Sequence, residues 1–217
     1  MKRNLTISLL KEESRKFSDQ ISNQNTPDLF GITDGKAIGT YVEHQFFDYL
    51  KKKYLFEEGS SARGIDFPGL NVDIKVTRVT QPQSSCPYKN ARQKVYGLGN
   101  SILLFVYEKQ DDLEHETCRL NIVHNIFIDK ERTADYQMTS LILQTLENNG
   151  NIDDLIAIFE DRNLPVDAIG AKNLAEELMK NKPSQGYLTI SNALQWRLQY
   201  SRVIKLSQKI SGIDKLR

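Results

Sequence analysis

Arg63-Gly64-Ile65-Asp66-Phe67-Pro68-Gly69-Leu70-Asn71-Val72-Asp73-Ile74-Lys75-Val76-Thr77 is the stretch on which both the fold and the chemistry turn. Pro68-Gly69 is a turn signal between two short β-prone runs. In the second run Val72, Ile74 and Val76 alternate with Asp73, Lys75 and Thr77, the period of a half-buried strand. A two-residue hairpin closed at Pro68-Gly69 or at Gly69-Leu70 makes Asp73 either the direct partner of Asp66 or its diagonal neighbour. In both registers the two carboxylates share a face, roughly 5–8 Å apart. Lys75 lies two residues beyond Asp73 and points the same way, while Val72, Ile74 and Val76 turn towards the core. A three-residue loop would break the arrangement.

Two carboxylates that converge in this way repel each other, and a shared proton, a basic neighbour or a divalent cation relieves the repulsion. Oxygen ligands without histidine or thiolate suit Mg²⁺, with Mn²⁺ as a substitute. A lysine beside the pair can steer an attacking water and stabilise negative charge on a phosphate. The groups together describe metal-assisted hydrolysis of a phosphodiester. Upstream, Thr33 or Asp34 caps a helix of about residues 35–53, whose apolar set is Ile38, Tyr41, Val42, Phe46, Tyr49 and Leu50. Glu43 sits on the flank of that stripe. With the stripe packed on the sheet, Glu43 reaches the strand face and supplies a third carboxylate.

Asp66, Asp73-Ile74-Lys75 and Glu43 on a preceding helix resemble the PD-(D/E)XK nuclease motif of type II restriction endonucleases. Here the first aspartate precedes its proline instead of following it. The short interval from Asp66 to Asp73, with Gly35-Lys36-Ala37-Ile38-Gly39-Thr40-Tyr41-Val42-Glu43 as the helical part, is similar to the mismatch-repair nicking enzyme MutH and its restriction-enzyme relatives. The resemblance covers about residues 35–107. It implies a mixed sheet flanked by helices, Mg²⁺ bound by Asp66 and Asp73, a nucleophilic water positioned by Lys75, and cleavage that leaves a 5′-phosphate. The acidic-x-Lys triplet recurs as Asp34-Gly35-Lys36, but there a glycine and a helix start take the place of a strand.

Outward from this centre, Ser101–Tyr107 is an almost unbroken apolar run, the mark of a central strand covered on both faces. Another strand is expected near 118–128. Leu and Ile spacing predicts helices around 134–148, 152–162 and 168–180, and Ser191 caps a last helix to about residue 210. The fold class is α/β (α+β). We read residues 1–217 as a single nuclease domain, with a catalytic core over about 35–130 and a helical portion over about 133–217.

Composition closes other routes. Cys86 and Cys118 stand apart and the three histidines are scattered, so a zinc cluster or disulfide framework is excluded. His124-Asn125 lacks a second histidine at the spacing of an HNH nuclease. No apolar run approaches a membrane span or a signal peptide, so a cytoplasmic protein is expected. The net charge of +1 names no partner, so contact with nucleic acid has to come from local patches. Lys89, Arg92 and Lys94, interleaved with Tyr88 and Tyr96, form one candidate patch for DNA phosphates or a solvated helix face. Arg197, Arg202 and Lys205 belong to another, a C-terminal stretch in which Arg202, Lys205 and Lys209 share a helical face. Gln81-Gln83 and Ser84-Ser85 carry groups that reach base edges. The reading is a Mg²⁺-dependent, sequence-specific endonuclease acting on double-stranded DNA. Glu43, Asp66, Asp73 and Lys75 form its site, with Glu43 as a further metal ligand, in a homodimer that cuts two strands of a symmetric sequence. The alternatives are a MutH-like strand nicker and a non-catalytic DNA-binding protein on the same fold.

Overall fold

The computed structural model describes residues 2–59, 64–85, 90–191 and 196–217. In chain order the elements begin with β1 (Arg3–Asn4), α1 (Ile7–Ser22), α2 (Gly35–Lys51), β2 (Tyr54–Leu55), β3 (Val72–Arg78) and β4 (Gln83–Ser85). They continue with α3 (Arg92–Tyr96), β5 (Ser101–Asp112), β6 (Thr117–Ile128), α4 (Tyr136–Glu147), α5 (Ile152–Asp161) and α6 (Ala168–Lys180). The last are β7 (Thr189–Ile190), β8 (Arg197–Gln199), α7 (Ser201–Leu206) and β9 (Ile213–Lys215). The fold is mixed α+β, sheets flanked by helices, with parallel pairing between β1 and β2 and antiparallel pairing between β5 and β6. The chain divides into two compact units. One holds the residues up to Ser84 with Ile102–Ile128 and Leu206–Arg217, the other Ser85–Ser101 and Asp129–Lys205.

The first unit is built on a four-stranded sheet in the order β3-β5-β6-β9. β5 and β6 form a long antiparallel hairpin and β9 adds antiparallel to β6. Ile102–Tyr107 are all buried, as an apolar run in an interior strand requires. α1 packs on β6 and α2 on β3. Asp34 caps α2 through the backbone N–H groups of Lys36 and Ala37. Ile38, Val42, Phe46 and Leu50 are fully buried on one face of α2. The rings of Phe17, Phe46 and Phe105 knit the layers at centroid distances of 5.0–6.0 Å. α1 turns an unusual polar face inward. Ser14, Ser18 and Ser22 recur every four residues, and Ser22 accepts the Ile122 N–H. Buried Asn125 donates to Ser18 Oγ and Ser14 O, so this residue beside His124 is a packing device.

In the second unit α4, α5 and α6 close over a core that includes Met138, Ile142, Leu155, Phe159, Leu174 and Leu178. These helices match the predicted ones. The expected last helix from Ser191 to about residue 210 does not form. Ser191 instead exchanges two hydrogen bonds with Arg197 (backbone N–H to O, hydroxyl from N–H) and closes the antiparallel β7–β8 hairpin. Leu198 and Tyr200 are buried and alternate with half-buried Arg197 and Gln199, a period of two that disfavours helix. α7 has six residues and ends before Lys209, so Arg202, Lys205 and Lys209 do not share a helical face. No helix among the described residues is long and apolar enough to cross a membrane.

Candidate active site

The two β-prone runs around Pro68-Gly69 are not a regular hairpin. Pro68–Leu70 forms one turn of 3-10 helix, and Asn71 closes it in the left-handed conformation at φ 54°. Asparagine tolerates that conformation better than most residues. On the upstream side, among the described residues, Phe67 pairs, exchanging backbone hydrogen bonds of 2.9 and 3.3 Å with Val72. The loop is therefore four residues long, not two. An even loop preserves parity, and a Phe67–Val72 pair sets Asp66 opposite Asp73 at the next position outward.

The polar face of β3 carries a compact charged cluster. Asp66 Oδ2 accepts the Ile74 N–H at 2.6 Å, which fixes its carboxylate against the strand. The carboxyl groups of Asp66 and Asp73 are hydrogen-bonded to each other. Lys75 Nζ lies 2.6 Å from Asp73 Oδ2. Asp73 is only 6% exposed. Burial pushes its carboxyl up to about 7; Lys75 opposes this, and the bond to Asp66 adds to it. Glu43 joins the cluster from the half-buried flank of α2. Burial and the charge of Asp66 raise it to about 7 against the pull of Lys75. The behaviour is that of a site with too many negative groups for the positive charge at hand, in which a proton sits where a cation would relieve the repulsion.

A family model for the type II restriction enzyme NspV matches residues 4–215. The chain is also 58% identical over 209 residues to the type II restriction enzyme NspV of Nostoc sp. strain PCC 7524, covering 96% of this chain and 95% of that protein. The chain belongs to the NspV family of type II restriction enzymes. As an NspV-family member it is a site-specific deoxyribonuclease, a hydrolase of the restriction class. No solved structure matches it.

In this NspV-family chain the basic residues singled out from sequence fare unevenly. Lys89 lies outside the described residues. Arg92 is exposed but paired with Glu177 at 2.6 Å and set over the Tyr96 ring. Lys94 does not stand on a solvated face. It is 4% exposed, with its ammonium 5.2 Å from the Trp196 ring, and burial lowers its pKa despite the attraction of Asp135. Arg197 is a half-buried strand residue. Arg202 stacks on the Tyr136 ring at 3.8 Å, and its buried Nε has no hydrogen-bond partner among the described residues. Lys205 is exposed near the end of α7.

Among the described residues no group of three or more His, Cys, Asp or Glu side chains is arranged to hold a metal ion. The donor chemistry of the Asp66–Asp73 pair nevertheless suits a hard cation: two oxygen ligands, one of them hard to ionise while nothing positive replaces the proton. Sequence reasoning missed Thr77. The parity that joins Lys75 to Asp73 puts Thr77 on the same face, 5% exposed, and its hydroxyl binds the backbone of Gln83. The parity was legible in the sequence; the return of the chain to Gln83 was not.

Proposed function

We propose that the chain hydrolyses double-stranded DNA at the cluster of Glu43, Asp66, Asp73 and Lys75, with Mg²⁺ held by Asp66 and Asp73 and assisted by Glu43. The observation that carries the reading is buried Asp73, hydrogen-bonded to the half-buried Asp66 carboxyl and with the Lys75 ammonium 2.6 Å away. Bound there, the cation supplies a Lewis acid for the scissile phosphate. Lys75 orients the attacking water and stabilises charge on the phosphate oxygens. Glu43, on the flank of α2 beside Asp66 and Lys75, is placed to accept the proton that the water gives up. The water oxygen bonds to phosphorus, the bond to the 3′-oxygen breaks, and that oxygen takes a proton. The products are a 5′-phosphate and a 3′-hydroxyl.

A homodimer accounts for cutting both strands of a symmetric sequence. Exposed Lys205, with Arg92, Arg197, Arg202 and Lys89, contributes phosphate contacts, and buried Lys94 is left out of that set. The setting is the cytoplasm of a prokaryotic cell. The test is incubation of the purified protein with plasmid and MgCl₂, with and without EDTA. Discrete 5′-phosphorylated fragments that vanish with EDTA or with Asp73→Ala uphold the proposal. Accumulation of open circles alone identifies a nicking enzyme, and undiminished cutting by Asp73→Ala refutes the site.

A further inference from the structure

After Arg78 the first unit turns back on itself, and the side chain of Thr77 captures the returning strand. The Thr77 hydroxyl accepts the Gln83 N–H at 3.0 Å and donates to the Gln83 carbonyl at 2.9 Å, with the Gln81 carbonyl at 3.3 Å. One hydroxyl thus fixes both backbone groups of a single residue. The hydroxyl is part-buried and Thr77 itself 5% exposed, so water competes poorly for these bonds. Thr77 shares its strand face with Asp73 and Lys75, and two residues of strand separate it from Lys75 by roughly 7 Å. The backbone of Gln83 is therefore held within roughly 13 Å of the Lys75 backbone, a span of no more than about four base steps along a duplex strand.

The captured segment is Gln81-Pro82-Gln83-Ser84. It has no formal charge, so it is poorly suited to gripping phosphate. Its amide and hydroxyl groups both donate and accept, which is the equipment for base edges, and a glutamine amide pairs bidentately with adenine in the major groove. Proline between the two glutamines restricts the backbone further. A base reader needs such rigidity, because misplacement by about 1 Å costs a large share of the discrimination.

We propose that Gln83 is a specificity-determining residue that reads a base close to the scissile phosphate, and that Thr77 is the positioning residue that locks it in register with the catalytic strand. The inference rests on the assignment of Asp73 and Lys75 to the chemistry. It requires recognition and cleavage to be joined through one side chain of β3.

The experiment is cleavage of a pool of randomised duplex DNA by the full-length protein with MgCl₂, followed by sequencing of the cut ends. Gln83→Ala, at a half-buried position whose backbone groups remain, relaxes preference at one base pair of each half-site about tenfold or more. Thr77→Val, nearly isosteric but without the hydroxyl, broadens the same position, and Thr77→Ser restores the wild-type profile. A structural role alone would lower thermal stability and scale all cutting down without changing the profile. If Gln83→Ala and Thr77→Val both retain the wild-type base preference, the inference is overturned. Lys75→Ala in the same assay tests the separate assignment: its loss of all cutting leaves the nuclease reading intact whatever Gln83 does, and wild-type-like cutting by it rejects that reading while a broadened Gln83→Ala profile still stands.

Discussion

Glu13 and Asp73 are both buried carboxylates in the first unit, both held by lysine, and they behave in opposite ways. Glu13, 3% exposed on α1, accepts from Tyr49 at 2.6 Å, Lys53 at 2.7 Å, and Tyr54 and Lys16 at 3.2 Å. Burial would raise its carboxyl, but the bonds from Lys53, Tyr49 and Lys16 outweigh burial and hold it at about 2. Asp73 has one lysine and, in place of further donors, a second carboxyl, and it is pushed up to about 7. The difference is one of satisfaction. A carboxylate surrounded by donors is finished, and it ties α1, the end of α2 and β2 together. A carboxylate facing another carboxylate lacks a positive charge that only a ligand supplies.

The sharpest way to break this contrast is to remove one member of each cluster. Lys75→Ala is expected to cost 10³-fold or more in cleavage, about 4 kcal/mol of transition-state stabilisation, and to lower the melting temperature because it strips the buried carboxylates of their one opposing charge; Asp73→Asn is expected to cost as much in cleavage with the melting temperature unchanged or raised. Plasmid digestion and calorimetry check the two halves. Glu13→Gln is expected to do the reverse, with a loss of about 2–3 kcal/mol, or roughly 5–10 °C in Tm, and normal cutting at a temperature where the variant is folded. The acid limb carries the same signature. The Glu13 carboxyl is held below its unfolded value of 4.5, so its contribution is complete above pH 4.5 and is lost as pH falls towards 2. Urea unfolding between pH 5 and pH 2.5 is expected to lose that dependence in Glu13→Gln.

Asp73 inverts the sign. Its carboxyl is raised from 3.8 to about 7, so its stability is intact below pH 3.8 and is lost as pH climbs through 7. A divalent cation relieves that loss. Ca²⁺ is expected to stabilise the fold at pH 8, by up to ~2.7 kcal/mol at a hundredfold excess over Kd and read as a rise in Tm, and to do little at pH 5, where protons hold the site. The effect is expected to vanish in Asp73→Asn and to persist in Glu13→Gln. Equal stabilisation at both pH values would show that the cation binds elsewhere.

The two clusters also differ in how far they were legible from the sequence. Asp73 and Lys75 are neighbours through strand period alone, and Asp66 joins them across a short loop, so local rules suffice. The loop proved to be four residues instead of two, yet any even loop keeps the parity, so the expected shared face of Asp66, Asp73 and Lys75 held despite a wrong turn type. The Glu13 cluster joins residues 36 to 41 positions apart in sequence, and nothing in α1 itself announces those partners. The C-terminal stretch failed for a related reason. Arg202, Lys205 and Lys209 sit at helical spacing, but Leu198 and Tyr200 are claimed by burial and Ile213 by pairing with β6, so tertiary context overrode the local pattern.

The exposed pair of Arg92 and Glu177 bounds the comparison from below. At 2.6 Å it is as short as the Lys75–Asp73 contact, but Arg92 keeps 56% of its side-chain surface in water and Glu177 31%. Water screens both charges, and holding two long side chains in one geometry costs entropy, so Arg92→Ala is expected to change stability by no more than about 1 kcal/mol. The guanidinium also rests on the Tyr96 ring at 5.2 Å, so some of that loss is packing instead of charge. Raising NaCl from 0.1 to 1 M separates the two, since salt weakens the ion pair and leaves ring contact largely intact. A double-mutant cycle of Arg92→Ala with Glu177→Gln is expected to give a coupling of a few tenths of a kcal/mol that fades in high salt. A coupling as large as the Glu13 effect would mean that distance, not burial and the supply of donors, sets what a charged pair is worth in this protein.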